Sequence, residues 1–334
     1  MAIHVALVTG GYTDEAAVSL RSADFVERQL RKKYSALYRI VITPERWYCV
    51  DATGAEHPVN RADFTVSING ASVGFDVAFI ILHGSPGEDG LLQGYLDMLG
   101  IPYTSCGVLT SALTMNKAYT KSVLDGIDGL HLAASVQLFA FQRHEAAELV
   151  ASQLRLPYFV KPNAGGSSIG MTKVTSLDKL PVAIARAFDT ENTGSQVIVE
   201  EFVTGREFSV GVYRSRNGIF VFPITEVVTS REFFDYEAKY VPGLTEEITP
   251  AALTEDQRNR IEGIVRAIYT RLDCKGMVRI DFFLEQDSDH FYFIEINTIP
   301  GQTEQSFLPQ QIRAAGMQES DFYAELVELA LQGG

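Results

Sequence analysis

Met277-Val-Arg-Ile-Asp-Phe-Phe-Leu-Glu-Gln-Asp-Ser-Asp-His-Phe-Tyr-Phe-Ile-Glu-Ile-Asn297 is the stretch from which the rest of the chain is best read. Met277 to Leu284 and His290 to Ile296 are rich in aromatic and β-branched residues and read as two strands, joined by the polar Glu285 to Asp289. A hairpin turning at Ser288 sets Asp281 opposite Glu295 and Arg279 opposite Asn297. Facing side chains on a β-ribbon have Cβ atoms about 5 Å apart, and two carboxylates there repel by about 3 kcal/mol at an effective dielectric near 20. The pair therefore calls for a compensating cation. Oxygen donors favour Mg²⁺ over zinc, and Mg²⁺ is typically held by one or two carboxylates plus substrate phosphates. A solvated hairpin edge, or a shifted register, is the alternative. The pair of Arg279 and Asn297 on the same face favours the metal.

Upstream, Lys161-Pro-Asn-Ala-Gly-Gly-Ser-Ser-Ile-Gly170 follows a short apolar run. A strand delivers Lys161, and the glycines let the backbone N–H groups of Gly165, Gly166, Ser167 and Ser168 approach phosphate oxygens closely. The spacing is not that of a Walker A loop, and the first hundred residues contain no GxGxxG, so a dinucleotide site is disfavoured. An ordinary hairpin turn reads the same way from these residues alone. Glu200-Glu-Phe-Val-Thr-Gly-Arg-Glu207 joins two strands and could offer backbone groups to an adenine and a carboxylate to a ribose. Alone it is an acidic turn, and Lys117 and Lys239 alone are ordinary surface lysines.

Outward from these segments, the pattern divides. Ile3 to Val8, Arg39 to Ile42, Trp47 to Val50, Val77 to Leu82 and Ile101 to Tyr103 read as strands, with helices over Ser19 to Lys33 and Leu91 to Leu99. Strands alternating with helices imply an open parallel α/β sheet whose ligands sit beyond the strand carboxyl ends. After about Thr120 the strands are Val136 to Phe141, Tyr158 to Lys161, Met171 to Val174, Gln196 to Phe202 and Glu207 to Arg214. Helices are expected over His144 to Leu154, Leu177 to Phe188 and Thr254 to Leu272. The last has a Thr254/Gln257 capping box and an apolar stripe from Ile261 to Leu272, and its end is marked by Lys275-Gly276. Ser230 to Pro250 reads as a long lid-like loop.

The 334 residues, at 46% hydrophobic and 21% charged, are enough for two or three globular domains. A net charge of −14 argues against nucleic acid or an anionic membrane as partner. The cysteines, Cys49, Cys106 and Cys274, are widely spaced, as in a protein of a reducing compartment. No signal peptide or membrane span is recognisable, and a cytoplasmic location is expected.

The motifs together resemble the ATP-grasp superfamily and, within it, the D-alanine–D-alanine ligase family. They are Leu82-His-Gly-Ser-Pro-Gly-Glu-Asp-Gly90 with Leu92-Gln-Gly94, Ile101-Pro-Tyr-Thr104, Ser111-Ala-Leu-Thr-Met-Asn-Lys117, the loop from Lys161 to Met171, Phe234-Asp-Tyr-Glu-Ala-Lys-Tyr240, Arg279-Ile-Asp281 and Glu295-Ile-Asn-Thr-Ile-Pro-Gly301. The resemblance implies an N-terminal open α/β, Rossmann-like domain (1–115), with central (116–205) and C-terminal (206–334) α+β domains sandwiching ATP. It implies a cytoplasmic homodimer joining two D-alanine molecules through a D-alanyl phosphate, for peptidoglycan precursor synthesis and hence the cell wall.

Residue by residue, the resemblance gives Lys117 and Lys161 to the phosphates, Ser167 and Ser168 to the loop closing over them, Lys239 to the nucleotide site and the closing loop, and Glu200, Glu201, Val203 and Glu207 to the adenosine. Asp281, Glu295 and Asn297 match the ligands of two Mg²⁺ ions, for which Mn²⁺ can substitute. Arg279 and the Gly301 backbone match the oxyanion-stabilising groups, Ser306 and Phe307 the second substrate's carboxylate site, and His83 and Val18 the first substrate's surroundings. The family commonly has a glutamate just before Val18-Ser19, where this chain has Ala17, and Glu15 is the nearest carboxylate that could reach over. Ser167 and Tyr240 belong to the same network. Tyrosine at 240 accompanies D-alanine as acceptor in the family, whereas ligases using D-lactate commonly carry another residue. An ATP-grasp ligase taking D-lactate or D-serine is the alternative.

Overall fold

The computed structural model describes residues 2–51, 53–166, 170–190, 195–229 and 245–333. Its first part runs through β1 (Val5–Gly10), α1 (Ala16–Leu30), β2 (Leu37–Ile42), β3 (Trp47–Val50), β4 (Glu56–Asn60), β5 (Thr65–Ile68), β6 (Ala71–Val73), β7 (Val77–Ile80) and α2 (Leu91–Leu99). The strands form one sheet in the order β6-β5-β4-β3-β2-β1-β7. Every residue of β1 is buried, as a central parallel strand covered on both faces requires.

The sheet is parallel only across β2-β1-β7; β3 to β6 extend it antiparallel. The expectation of a wholly parallel sheet is corrected here. Short links leave no room for a crossover, and Asn69-Gly70, with φ of 52° and 79°, makes the kind of two-residue turn that only a hairpin uses. Ile101 to Tyr103, expected as a strand, contributes only a single bridge from Tyr103 to Ala78. Helix α1 starts three residues earlier than the sequence suggests, so Glu15 becomes its N-cap.

Two helices unforeseen in the sequence, α3 (Val108–Met115) and α4 (Lys117–Leu124), lead through β8 (Leu130–His131) into a four-stranded sheet. That sheet contains β9 (Ser135–Phe139), β10 (Tyr158–Pro162), β11 (Thr172–Val174) and β12 (Gln196–Glu201), ordered β11-β10-β12-β9. It is backed by α5 (Ala146–Gln153) and α6 (Leu180–Phe188), whose second residue is Pro181, a place proline tolerates.

The third sheet holds β13 (Gly205–Ser215), β14 (Gly218–Val221), β15 (Thr225–Thr229), β16 (Thr245–Ile248), β17 (Met277–Glu285) and β18 (Phe291–Asn297), and β8 joins its edge. Of the segment expected as a loop, residues 230–244 lie outside the described residues, and Thr245–Ile248 is a strand on β15. Helix α7 (Glu255–Arg271) has the expected reciprocal Thr254/Gln257 cap, and it buries Ile261, Ile264, Val265 and Ile268. It stops at Leu272, ahead of the Lys275-Gly276 pair, because Asp273 turns left-handed at φ 49°.

Helices α8 (Phe307–Ala314) and α9 (Glu319–Leu331) close the chain. They pack on the first sheet: Leu308, Ile312, Tyr323 and Val327 share a core with Val8, Phe79 and Leu82. Cys49, Cys106 and Cys274 are buried free thiols. Among the described residues no helix is long and apolar enough to cross a membrane.

Candidate active site

The β17–β18 hairpin has the register expected from sequence where it matters: Arg279 faces Asn297 and Asp281 faces Glu295. Beyond Asp281 the register slips, with Phe282 opposite Phe293, so Ile294 is an extra residue. Such a bulge bends a strand and re-aims its side chains. Phe293, Ile294 and Glu295 consequently all line one cavity.

Arg279 and Asp281, two apart, share a face of β17. The guanidinium donates to Asp281 through Nε (3.0 Å to Oδ1) and Nη2 (2.8 Å to Oδ2). Ser209, Asp281's partner on β13, donates its hydroxyl to Oδ1 at 2.7 Å. Burial pulls the Arg279 pKa down, but Asp281, then Glu295 and Glu88, outweigh it and hold it above its ordinary value. On the other strand, Glu295 lies 3.8 Å from Lys117 Nζ. The two facing carboxylates thus each have a protein cation beside them. The repulsion that called for a metal is already met by Arg279 and Lys117, and the case for a metal must rest on the donor set instead.

That set is two carboxylates and an amide, all oxygen donors suited to Mg²⁺. Asn297 lines the second cavity described below, and its amide nitrogen is buried with no hydrogen-bond partner. Turning the amide by 180° presents its carbonyl oxygen in the same place. A buried polar atom that nothing satisfies is costly, and a ligated cation accounts for it. The residues fit the ion.

Lys117 is the first residue of α4, whose N-cap Asn116 accepts from Tyr119 N at 3.0 Å. Asn163, at the end of β10, accepts from Ala118 N at 2.9 Å and donates to Asn116 at 2.7 Å. The glycine loop and the helix start are therefore stitched together, and Lys117 Nζ donates to the Gly165 carbonyl at 2.6 Å. Lys161 on β10 reaches Glu200 at 2.5 Å, and Lys121, one turn beyond Lys117, reaches the same carboxylate at 2.5 Å and the Ala133 carbonyl at 2.7 Å. Burial alone would raise the Glu200 pKa, but Lys161 and Lys121 outweigh it and bring it down to about 2. Two ammonium groups share one carboxylate, leaving a local positive excess. Sequence reasoning missed Lys121; its i+4 spacing from Lys117 was the available signal.

Lys117, Lys161 and Glu200 line a cavity whose apolar walls include Phe159, Met171, Val203, Phe283 and Phe293, with Glu201 and Glu207 at its polar side. Flat apolar walls with few polar groups suit a heterocycle. Glu201 is also tied to Arg155 N at 2.8 Å. A second cavity of about 280 Å³ adjoins it, sharing Lys117, Gly165 and Glu295, and is walled by Glu15, Gly84, Glu88 and Asn297. Glu15 Oε2 lies 3.0 Å from where a Gly84 Cβ would stand, and Oε1 2.9 Å from a Gly166 Cβ. Both glycines let their loops close on this carboxylate. The structure thus brings Glu15 to the second cavity, while Ala17 is exposed on α1 and Val18 lies outside the walls of both cavities.

His83 accepts from the Ser22 hydroxyl at Nε2 (3.1 Å) and donates from Nδ1 to the Ile299 carbonyl (2.8 Å). Burial holds its pKa below the ordinary value, so the ring is neutral. Burial, and then Glu15, push Glu88 up to about 8. Ser306 precedes α8 without a side-chain capping bond, and its hydroxyl accepts from Thr303 N at 3.0 Å; it also stands 3.1 Å from where a Gly301 Cβ would be. Arg279 stacks over the Phe307 ring at 5.6 Å. Ser167, Ser168, Lys239 and Tyr240 lie outside the described residues.

A cleft between the second and third sheets, with Lys161 from one, Asp281 and Glu295 from the other and Lys117 from helix α4, is the arrangement of an ATP-grasp ligase. Comparison with known proteins carries this further. The family model described as the D-ala D-ala ligase N-terminus matches residues 4–106, and that described as the C-terminus matches residues 131–328. A D-alanine–D-alanine ligase of Azobacteroides pseudotrichonymphae is 42% identical over 97% of this chain and 99% of its own length. One from Phocaeicola vulgatus is 43% identical over 97% and 98%. Among solved structures, the VanG D-Ala:D-Ser ligase of Enterococcus faecalis superposes with a TM-score of 0.86 at 31% identity, covering 99% of this chain and 100% of that one. D-alanyl-alanine synthetase A of Vibrio cholerae gives 0.86 at 29%, covering 99% of each. This chain belongs to the D-alanine–D-alanine ligase family.

Proposed function

We propose that the protein joins two D-alanine molecules at the expense of ATP, forming D-alanyl-D-alanine, ADP and phosphate. The observation that carries the reading is the register of β17 and β18, which sets Arg279, Asp281, Glu295 and Asn297 on one face beside Lys117 and an apolar-walled cavity.

A carboxylate does not accept an amine without activation. The first D-alanine's carboxylate therefore takes the γ-phosphoryl group of ATP, giving an acyl phosphate and ADP. Lys117, Lys161 and Lys239, with the loop of Ser167 and Ser168, spread the charge of the transferring group. Glu200, Glu201, Val203 and Glu207 hold the adenosine. Asp281, Glu295 and Asn297 would hold two Mg²⁺ ions, with Mn²⁺ an acceptable substitute; when bound, the ions would neutralise the developing phosphoryl charge.

Glu15 grips the first substrate's ammonium, with Val18, His83, Ser167 and Tyr240 around it. Ser306 and Phe307 receive the second D-alanine's carboxylate. Its deprotonated amine then attacks the acyl carbon, Arg279 and the Gly301 N–H stabilise the oxyanion, and phosphate departs. Covering the site keeps water from the acyl phosphate. The division into residues 1–115, 116–205 and 206–334, each centred on one sheet, a cytoplasmic location and a homodimer belong to the same reading.

The test is incubation with D-alanine, ATP and Mg²⁺, with the dipeptide followed by mass spectrometry and ADP release measured for D-alanine, D-lactate and D-serine as acceptors. Dipeptide with matching ADP is expected. ADP release stimulated by D-lactate or D-serine alone overturns the choice of acceptor.

A further inference from the structure

The segment Ile299-Pro-Gly-Gln302 is held from outside its own sheet. The Ile299 N–H donates to Glu88 Oε1 at 3.2 Å, and the Ile299 carbonyl accepts from His83 Nδ1 at 2.8 Å. The Gln302 N–H donates to Ser22 Oγ at 3.1 Å, and the Ser22 hydroxyl in turn donates to His83 Nε2. The other Glu88 oxygen accepts from Gly84 N at 2.8 Å. Pro300 has no N–H to give. The one remaining N–H of the segment, that of Gly301, makes no hydrogen bond among the described residues.

Three side chains of the first domain thus grip the backbone on both sides of Gly301 and leave its N–H available. We propose that Glu88 and Ser22 are positioning residues of a clamp, completed by His83, that fixes the Gly301 N–H for the oxyanion of the amide-forming step. This rests on the ligase reading above.

A hydrogen-bond donor aimed at a developing oxyanion is worth having only if it is held before the reaction, and small displacements of such groups slow a reaction severely. Neither strand of the β17–β18 hairpin reaches Gly301, since β18 ends at Asn297. The clamp supplies the missing hold, from the loop carrying His83 and Glu88 and from Ser22 on α1, the last 280 residues away in sequence. Both Glu88 oxygens face backbone N–H groups, and both accept only in the ionised form, which burial and Glu15 confine to pH values above about 8. Glutamine accepts at one end only and turns an N–H toward a second N–H at the other.

The experiment is Glu88→Gln, with Ser22→Ala as a second variant, in the full chain and at about pH 9, where Glu88 is ionised. Dipeptide formation, phosphate release, KM for ATP and thermal unfolding are measured together. Glu88→Gln is expected to lower kcat by about tenfold or more, to leave the KM for ATP within about twofold, and to release more phosphate than dipeptide because the waiting acyl phosphate is lost. Ser22→Ala is expected to shift kcat and the ratio the same way, less far. A kcat within about twofold of the parent with a one-to-one ratio overturns the clamp, as does an effect confined to the KM for D-alanine. Should Glu88→Gln lose its unfolding transition, Ser22→Ala is judged by the same criteria. An unsubstituted protein that makes no dipeptide refutes the ligase reading instead.

Discussion

At the scale of single residues, the site is a set of charges held in place by other charges. Asp281 is 7% exposed and is the main counter-charge of the buried Arg279. Breaking a buried ion pair by removing one partner costs about 3 kcal/mol. Asp281→Asn is therefore expected to lower unfolding stability by about that much in urea, and to cut dipeptide formation by about a hundredfold or more; unchanged turnover would remove Asp281 from the site. Glu200 makes a different prediction. Its pKa is brought from the usual 4.5 to about 2, so the folded state favours the charged form. The stabilisation is fully present above pH 4.5 and is lost as the pH falls toward 2, by about 3 kcal/mol in all. Lys121→Met removes one of its two cations, and the expected outcome is a KM for ATP raised by about tenfold and a shallower acid-unfolding curve. Asp281 and Glu295 were legible from their spacing on the hairpin, whereas Lys117 was legible only through the family resemblance of the motif that ends on it. The grip of Ser22 and Glu88 on Ile299 and Gln302 was not, because nothing local in the sequence ties those positions together.

At the scale of elements, periodicity served where an element is long or its partner near. The Thr254/Gln257 cap and the stripe from Ile261 to Ile268 specify α7, and alternation around a polar turn specified the site end of β17–β18. The bulge at Ile294 was invisible because it answers to neighbours in three dimensions. Asn69-Gly70 did carry a legible hairpin signal, overlooked because β5 and β6 are only four and three residues long. Helices α3 and α4 escaped notice for a related reason: eight residues each, with Thr, Ser and Val weakening local preference, they exist by packing. A prediction belongs here. A Cβ on Gly211 would run into Leu308 Cδ1 and Gln311 Oε1 on α8, the helix that begins just after Ser306. Gly211→Ala is expected to cost about 1–3 kcal/mol and, by lifting α8, to raise the KM for the acceptor D-alanine; a neutral variant in both assays would show that α8 adjusts freely.

At the scale of the whole molecule, the three sheets do not stand apart, and their contacts are made through backbone as much as through side chains. Gly276, at φ 62°, lies where any Cβ would overlap the Thr104 carbonyl oxygen, so the residue before β17 presses on the backbone just past Tyr103, which bridges to the first sheet. Gly276→Ala combines an unfavourable left-handed φ with that overlap. It is expected to lower stability by about 2 kcal/mol or more and to split a single thermal transition into two, one for the N-terminal core and one for the core around α7. A single unshifted transition would show that the two sheets are docked by something else.

The docking of α9 has a consequence for how the enzyme comes into being. Tyr323 passes its hydroxyl to the Gln302 side chain at 2.7 Å, directly behind the backbone that Ser22 holds from 280 residues earlier. Synthesis must therefore have carried the chain past Tyr323 before this corner can form. Until then the backbone around Gly301 lacks its backing, and a protease that cuts between α8 and α9 takes that backing from a finished copy.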